Sequence, residues 1–234
     1  MQTPLTRRQL LQTAAAALSA PDRLRVVVTG GHPGDPECGC AGVMARYADA
    51  GHSVAVLYLN RGEGYCGKAD LAACASIRTA EAEKACAILR ARPLFAGQLD
   101  GNAVVDAPHY QAFSKQLLAE KPDVVFTQWP VDRHPDHRAI AALVLNAWLA
   151  AAQSFALYYY EVAEDTMLFA PAEYVDISGV EARRRAACFA HASQQPEKWY
   201  PGQVAITRAR GRAAGFAQAE AFLRHPESRP GLLP

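Results

Sequence analysis

The chain has 234 residues, half of them hydrophobic and a fifth charged, with a formal net charge of +1. That length holds one sizeable α/β domain of ordinary globular composition. The near-neutral charge, with no lysine or arginine stripe, argues against nucleic-acid binding, and no stretch reaches the roughly 20 apolar residues that span a bilayer.

The first segment, Thr6-Arg7-Arg8-Gln9-Leu10-Leu11, leads into a mildly apolar run and then Leu18-Ser19-Ala20. This is the anatomy of a twin-arginine export signal. Residues 1–20 are therefore expected to be a signal or a disordered tail, and residues 21–234 a single domain. Export to the periplasm is the expected localisation, with the cytoplasm as the alternative.

Beyond it, apolar runs alternate with amphipathic ones. A short β-branched strand is predicted over 24–29, ending in Gly30-Gly31, then a helix over 38–50 stopped by Gly51. A strand over 53–59, a helix over 76–90, a strand over 93–96 and a helix over 110–120 follow. The fourth strand, 123–128, precedes a long apolar helix over 136–151. Strands over 154–162 and 173–177 come next, and helices over 180–192 and 204–224 close the chain. The six cysteines form no paired CxxC units and no disulfide framework, and most read as small buried residues.

Alternating strands and helices imply a three-layer α/β sandwich with a mostly parallel central sheet. In a three-two-one-four-five strand order, strands one and four flank the crevice at their carboxyl ends, where such sheets bind ligands. Two polar clusters stand there: His32-Pro33-Gly34-Asp35 after strand one, and His134-Pro135-Asp136-His137 after strand four.

Zinc takes nitrogen and oxygen ligands, and a catalytic site keeps one position open. His32 and Asp35 can converge on one ion from a turn, and His137 completes a two-histidine, one-carboxylate set. Another divalent metal fits that set as well. His134, three residues before His137, is placed to stabilise a developing oxyanion. Asp136 can support one of the histidines from behind.

At these residues the chain resembles the LmbE-like, or PIG-L-type, N-acetylglucosaminyl deacetylases. The family's A-H-P-D-D-E motif stands as Gly31-His32-Pro33-Gly34-Asp35-Pro36-Glu37, and its H-P-D-H motif is intact at 134–137. Gly62-Glu63, Arg78 with Glu81, Asp100-Gly101, His191-Ala192-Ser193-Gln194 and Glu220-Ala221-Phe222 extend the likeness. The resemblance implies a Rossmann-like fold and one zinc ion on His32, Asp35 and His137. It further implies hydrolysis of an N-acetyl group from an amino sugar or glycoconjugate. His134 would stabilise the oxyanion with Asp136 in support, and Arg78 would contact substrate unless it is a surface arginine paired with Glu81. One departure matters: the family's first Asp, commonly the general base, is Gly34 here. Either Glu37 or Asp132 supplies the base, or the protein binds metal and sugar with little hydrolysis. The oligomeric state is not written in these patterns.

Overall fold

The computed structural model describes residues 23–66 and 70–234. The expected export signal at residues 1–20 lies outside the described residues. Strands β1 (Arg25–Gly30), β2 (Ser53–Tyr58), β3 (Arg92–Phe95), β4 (Val124–Gln128) and β5 (Ala156–Tyr160) run parallel. β6 (Glu173–Asp176) and β7 (Ala219–Arg224) complete a sheet of order β3-β2-β1-β4-β5-β7-β6 among the described residues. β7 pairs antiparallel with both β5 and β6. Helices α1 (Asp35–Asp49), α2 (Leu71–Leu89), α3 (Ala107–Ala119), α4 (Pro135–Ala150), α5 (Glu181–Phe189) and α6 (Pro196–Ala214) cover the two faces.

The period-2 geometry of strands explains the layering. Val26 and Val28 of β1, Phe126 of β4 and Tyr158 and Tyr160 of β5 point to one face. There they pack on Met44 and Tyr47 of α1 and on Ala82 and Ala85 of α2. Their neighbours Val27, Val125, Leu157 and Tyr159 point to the other, against Phe113 and Leu117 of α3 and Ile140, Leu143 and Trp148 of α4. The result is the Rossmann-like three-layer sandwich expected from the sequence. β1 and β4 are hydrogen-bonded neighbours in parallel register, Val26 opposite Val124 and Val28 opposite Phe126. Both therefore end on the same edge, and the two polar clusters leave the sheet side by side.

Three expectations are corrected. The helix predicted over 204–224 ends at Ala214, where Gly215 adopts a left-handed conformation (φ 82°), and residues 219–224 form β7. Ala, Glu and Leu favour helix locally, but pairing with two strands overrides that weak preference. Glu220, on β7, accepts hydrogen bonds from the Gly42 and Val43 backbone N–H groups at 2.7 Å each. The second correction concerns the cysteines. Cys66 and Cys74 form a disulfide, tying the loop after β2 to the first turn of α2, while Cys38, Cys40, Cys86 and Cys188 are free and buried as expected. α2 also starts at Leu71 rather than at residue 76, capped by Asp70, whose side chain accepts the Ala72 N–H at 2.9 Å. No helix among the described residues is long and apolar enough to cross a membrane.

Candidate active site

The loop after β1 turns through Gly34 (φ 110°) into α1. Asp35 is the first residue of that helix, and its Oδ2 accepts the His32 backbone N–H at 2.8 Å. The same oxygen lies 3.1 Å from His32 Nδ1 and 3.1 Å from His137 Nε2. Two imidazole nitrogens and one carboxylate oxygen thus converge from different strand ends. Close packing requires a glycine beside them, since a Cβ on Gly31 would stand 2.9 Å from the His137 ring.

The loop after β4 grips the rings from behind. Asp132 Oδ1 sits 3.0 Å from His137 Nδ1 and also accepts the His134 N–H, while its Oδ2 accepts the Thr166 hydroxyl. Asp136 does not back His134. Its Oδ2 lies 3.1 Å from His32 Nε2 and accepts from Asn60 Nδ2 and the Gly101 N–H, each at 2.8 Å. Asp100 Oδ1 is likewise 3.1 Å from His32 Nε2. His134 caps α4, its Nδ1 accepting the Asp136 N–H at 3.2 Å. Its ring lies edge-on to His32 with 4.5 Å between centroids.

The charges are strongly coupled. Burial opposes a proton on His32, but Asp35, Asp100 and Asp136 outweigh it and hold the ring well above its ordinary pKa. His137 is pushed up to about 9 in the same way, against burial, by Asp35 and Asp132. Burial would raise Asp35, yet His137 and His32 keep it well below the carboxylate range. His134 moves the other way: burial and the neighbouring His32 and His137 lower it.

This donor set fits a divalent metal. The field that keeps protons on the two rings also attracts a cation, and each ring has a carboxylate on its far nitrogen, the usual support for a metal-binding histidine. Donor atoms of His32, His134 and His137 lie within 4.8 Å of one another, as do those of His32, Asp100 and Asp136. The second grouping reads as support rather than as a site, because Asp136 Oδ2 already receives three N–H groups. From the first, His32 and His137 converge on Asp35, whose oxygen faces both of their rings, with His134 beside them.

A cavity of about 250 Å³ opens beside Asp35, with Gly34, Arg78, Asp165, His191 and Trp199 in its wall. Arg78 is buried rather than at the surface. It donates to the Gly62 and Pro33 carbonyls at 3.0 and 2.6 Å, so it ties the loops after β1 and β2 together. Glu81 instead receives Ser193 through its N–H and hydroxyl. Glu37 is also buried, its Oε1 accepting the Tyr58 hydroxyl and its Oε2 the Gly34 N–H at 3.0 Å. It caps α1 and is absent from the cavity wall.

Residues 27–148, more than half of the chain, match the PIG-L family, described as GlcNAc-PI de-N-acetylase. The chain belongs to the PIG-L family. Its fold is shared by a conserved protein from Thermus thermophilus, at 29% identity over 88% of this chain and 100% of that one, with a TM-score of 0.77. It is also similar to the N,N'-diacetylchitobiose deacetylase from Pyrococcus horikoshii, at 21% identity, covering 97% and 95% of the two chains with a TM-score of 0.76. The 4-carboxy-2-hydroxymuconate hydratase from Pseudomonas putida has the same architecture at 21% identity, covering 88% and 98% with a TM-score of 0.77.

Within this PIG-L member, His32, Asp35, Asp132, His134, Asp136 and His137 are brought together, while Arg78 lies on the cavity wall and Glu37 behind it. Asn60, Asp100 and Gln128 were not singled out from the sequence as site residues. Gln128 Oε1 accepts the Gly31 N–H at 2.8 Å and steadies the first turn of the site. All three are polar residues at or beyond the carboxyl ends of strands, the one signal that points to them. His191 likewise enters the cavity wall from a segment between α5 and α6.

Proposed function

We propose that this protein is a zinc-dependent amidohydrolase that removes an N-acetyl group from an amino sugar or glycoconjugate. The observation that carries the reading is the convergence of His32 Nδ1 and His137 Nε2 on Asp35 Oδ2, 3.1 Å from each, beside a cavity of about 250 Å³. Membership of a de-N-acetylase family supports it. These three residues would hold one ion, which supplies a Lewis acid that polarises a carbonyl and lowers the pKa of water towards neutrality.

The protein's own groups do the rest. Asp132 and Asp136 orient His137 and His32 through the ring nitrogens that face away from Asp35. His134, with Nδ1 accepting a backbone N–H, carries its proton on Nε2 when neutral and so presents a donor to an oxyanion. Its lowered pKa favours that neutral form. Arg78 holds the two loops that frame the cavity.

Zinc-loaded protein is expected to release acetate from N-acetylglucosamine conjugates, and His137→Ala to lose both the metal and, at a rough estimate, about 100-fold or more in rate. Retained turnover in His137→Ala would remove the metal reading. Gly34 favours a second reading, a metal-dependent carbohydrate-binding protein, since the family's usual base is missing. Tight sugar binding with one bound metal and no acetate release is its signature.

We also propose export. The Arg7-Arg8 segment has the anatomy of a twin-arginine signal, and the Cys66–Cys74 disulfide suits an oxidising compartment. Replacing Arg7 and Arg8 by lysine should leave the protein in the cytoplasmic fraction, and unchanged periplasmic recovery would refute the idea.

A further inference from the structure

Both carboxylates behind His32 are held by one loop. Asp100 Oδ1 and Asp136 Oδ2 each lie 3.1 Å from His32 Nε2. Asn60, at the start of the loop after β2, donates its Nδ2 to that Asp136 oxygen at 2.8 Å. Further along, Gly64 gives its N–H to Asp100 Oδ2 at 2.9 Å, and Glu63 Oε1 accepts the Asp100 N–H at 3.3 Å. The orientation of His32 is therefore set through residues 60–64.

That loop takes little support from the sheet. The Asn60 N–H still pairs with the Gly31 carbonyl at 3.2 Å. The N–H groups of Arg61, Gly62 and Gly64 all go to side chains, those of Glu63, Asn60 and Asp100. What clamps the loop is α2, at two points. Arg78 Nη1 donates to the Gly62 carbonyl at 3.0 Å, and its guanidinium packs so closely that a Cβ on Gly62 would overlap it. One helical turn earlier, on the same face of α2, Cys74 is bonded to Cys66. Gly64 stands midway between the two anchored positions, 62 and 66. The Tyr65 carbonyl also accepts Gln194 Nε2 at 2.9 Å, but that bond is exposed and exchanges readily for one to water. The disulfide is not open to such exchange.

We propose that the Cys66–Cys74 disulfide is a positioning element of the metal site: it fixes Gly64 against Asp100, and Asp100 fixes His32. The inference rests on the metal-dependent reading above. Without the crosslink, the Gly64 N–H parts from Asp100. The His32 ring then keeps Asp136 but loses one of the two carboxylates on its far nitrogen, and the ion is held less tightly.

The test measures zinc affinity by chelator competition in wild-type protein, Asp100→Asn, Cys66→Ala/Cys74→Ala and the variant combining all three, each checked for folding by melting curve. Loss of such an outer carboxylate weakens metal binding about 10–100-fold, so Asp100→Asn and the double cysteine variant are each expected to lose about 10-fold. The combined variant should lose no more than either, because the disulfide acts through Asp100. Additive losses, or an unchanged affinity without the disulfide, would overturn the proposal. If the cysteine variant does not fold, wild-type protein reduced with a phosphine and then freed of it takes its place. Its affinity should fall and return on reoxidation, and an affinity indifferent to reduction would overturn the proposal. Amide exchange needs no metal: the Gly64 N–H should exchange about 10-fold faster or more without the crosslink, and an unchanged rate would also overturn it. Wild-type protein that binds no zinc would count against the metal reading, while the exchange comparison would still decide whether the disulfide fixes the loop behind His32.

Discussion

The loops that follow β1 and β4 leave the sheet as neighbours and both carry two acidic side chains, yet they use them in opposite ways. After β4, Asp132 and Asp136 each grip a histidine ring, one on His137 and one on His32. After β1, Asp35 faces those rings, but Glu37 is turned inward to cap a helix and Gly34 offers no side chain at all. Gripping the rings and facing them are thus separate tasks here. The β4 loop supplies a grip for each ring, and the β1 loop presents a single carboxylate to both.

The sharpest way to break that comparison is to weaken the gripping carboxylates. Asp132→Asn removes the acceptor behind His137, and zinc affinity should fall about 10–100-fold by competition with a chelator. An unchanged affinity would mean that the ring needs no support from the β4 loop.

Substitution on the other side should behave differently. Gly34→Ala puts a β-carbon on a backbone at φ 110°, where ordinary residues are strained, although its nearest neighbour, the His191 ring, stands at an ordinary contact distance of 3.8 Å. Denaturant unfolding should show a loss on the order of 1–3 kcal/mol, with zinc affinity kept because Asp35 is still presented. A loss of metal in that variant would show that the turn itself positions the ligand.

The smallest effect is in pH. The folded-state pKa of His137, about 9, lies above its ordinary 6.5. Its stabilising contribution is therefore full below pH 6.5 and lost as pH rises through about 9. Melting temperatures of chelator-treated protein should fall across that window, while zinc binding strengthens as protons cease to compete. A flat profile in chelator would contradict the charge coupling between His137 and Asp35.

The strand order and the crevice between β1 and β4 were legible because each depends on local periodicity and on topology rules that few sequences evade. His32, Asp35, His134 and His137 were legible because each pair sits within four consecutive residues. Other parts were not. The support given to His32 by Asp136 and Asp100 joins groups far apart in the chain, and nothing in the H-P-D-H spacing says that Asp136 would pass over its neighbour His134. Glu37 reads as a free carboxylate in the sequence, whereas Tyr58, at the end of the next strand, claims one of its oxygens. β7 reads as helix because Ala219 to Leu223 prefers helix in isolation and becomes a strand only against β5 and β6.

The groups that converge on Asp35 Oδ2, His32 and His137, fall with it inside the stretch 27–148 that matches the family. The cavity's outer wall, through Asp165, His191 and Trp199, comes from the part of the chain after it. The wall that the later segment builds can therefore be altered while the convergence of His32, Asp35 and His137 stays as it is.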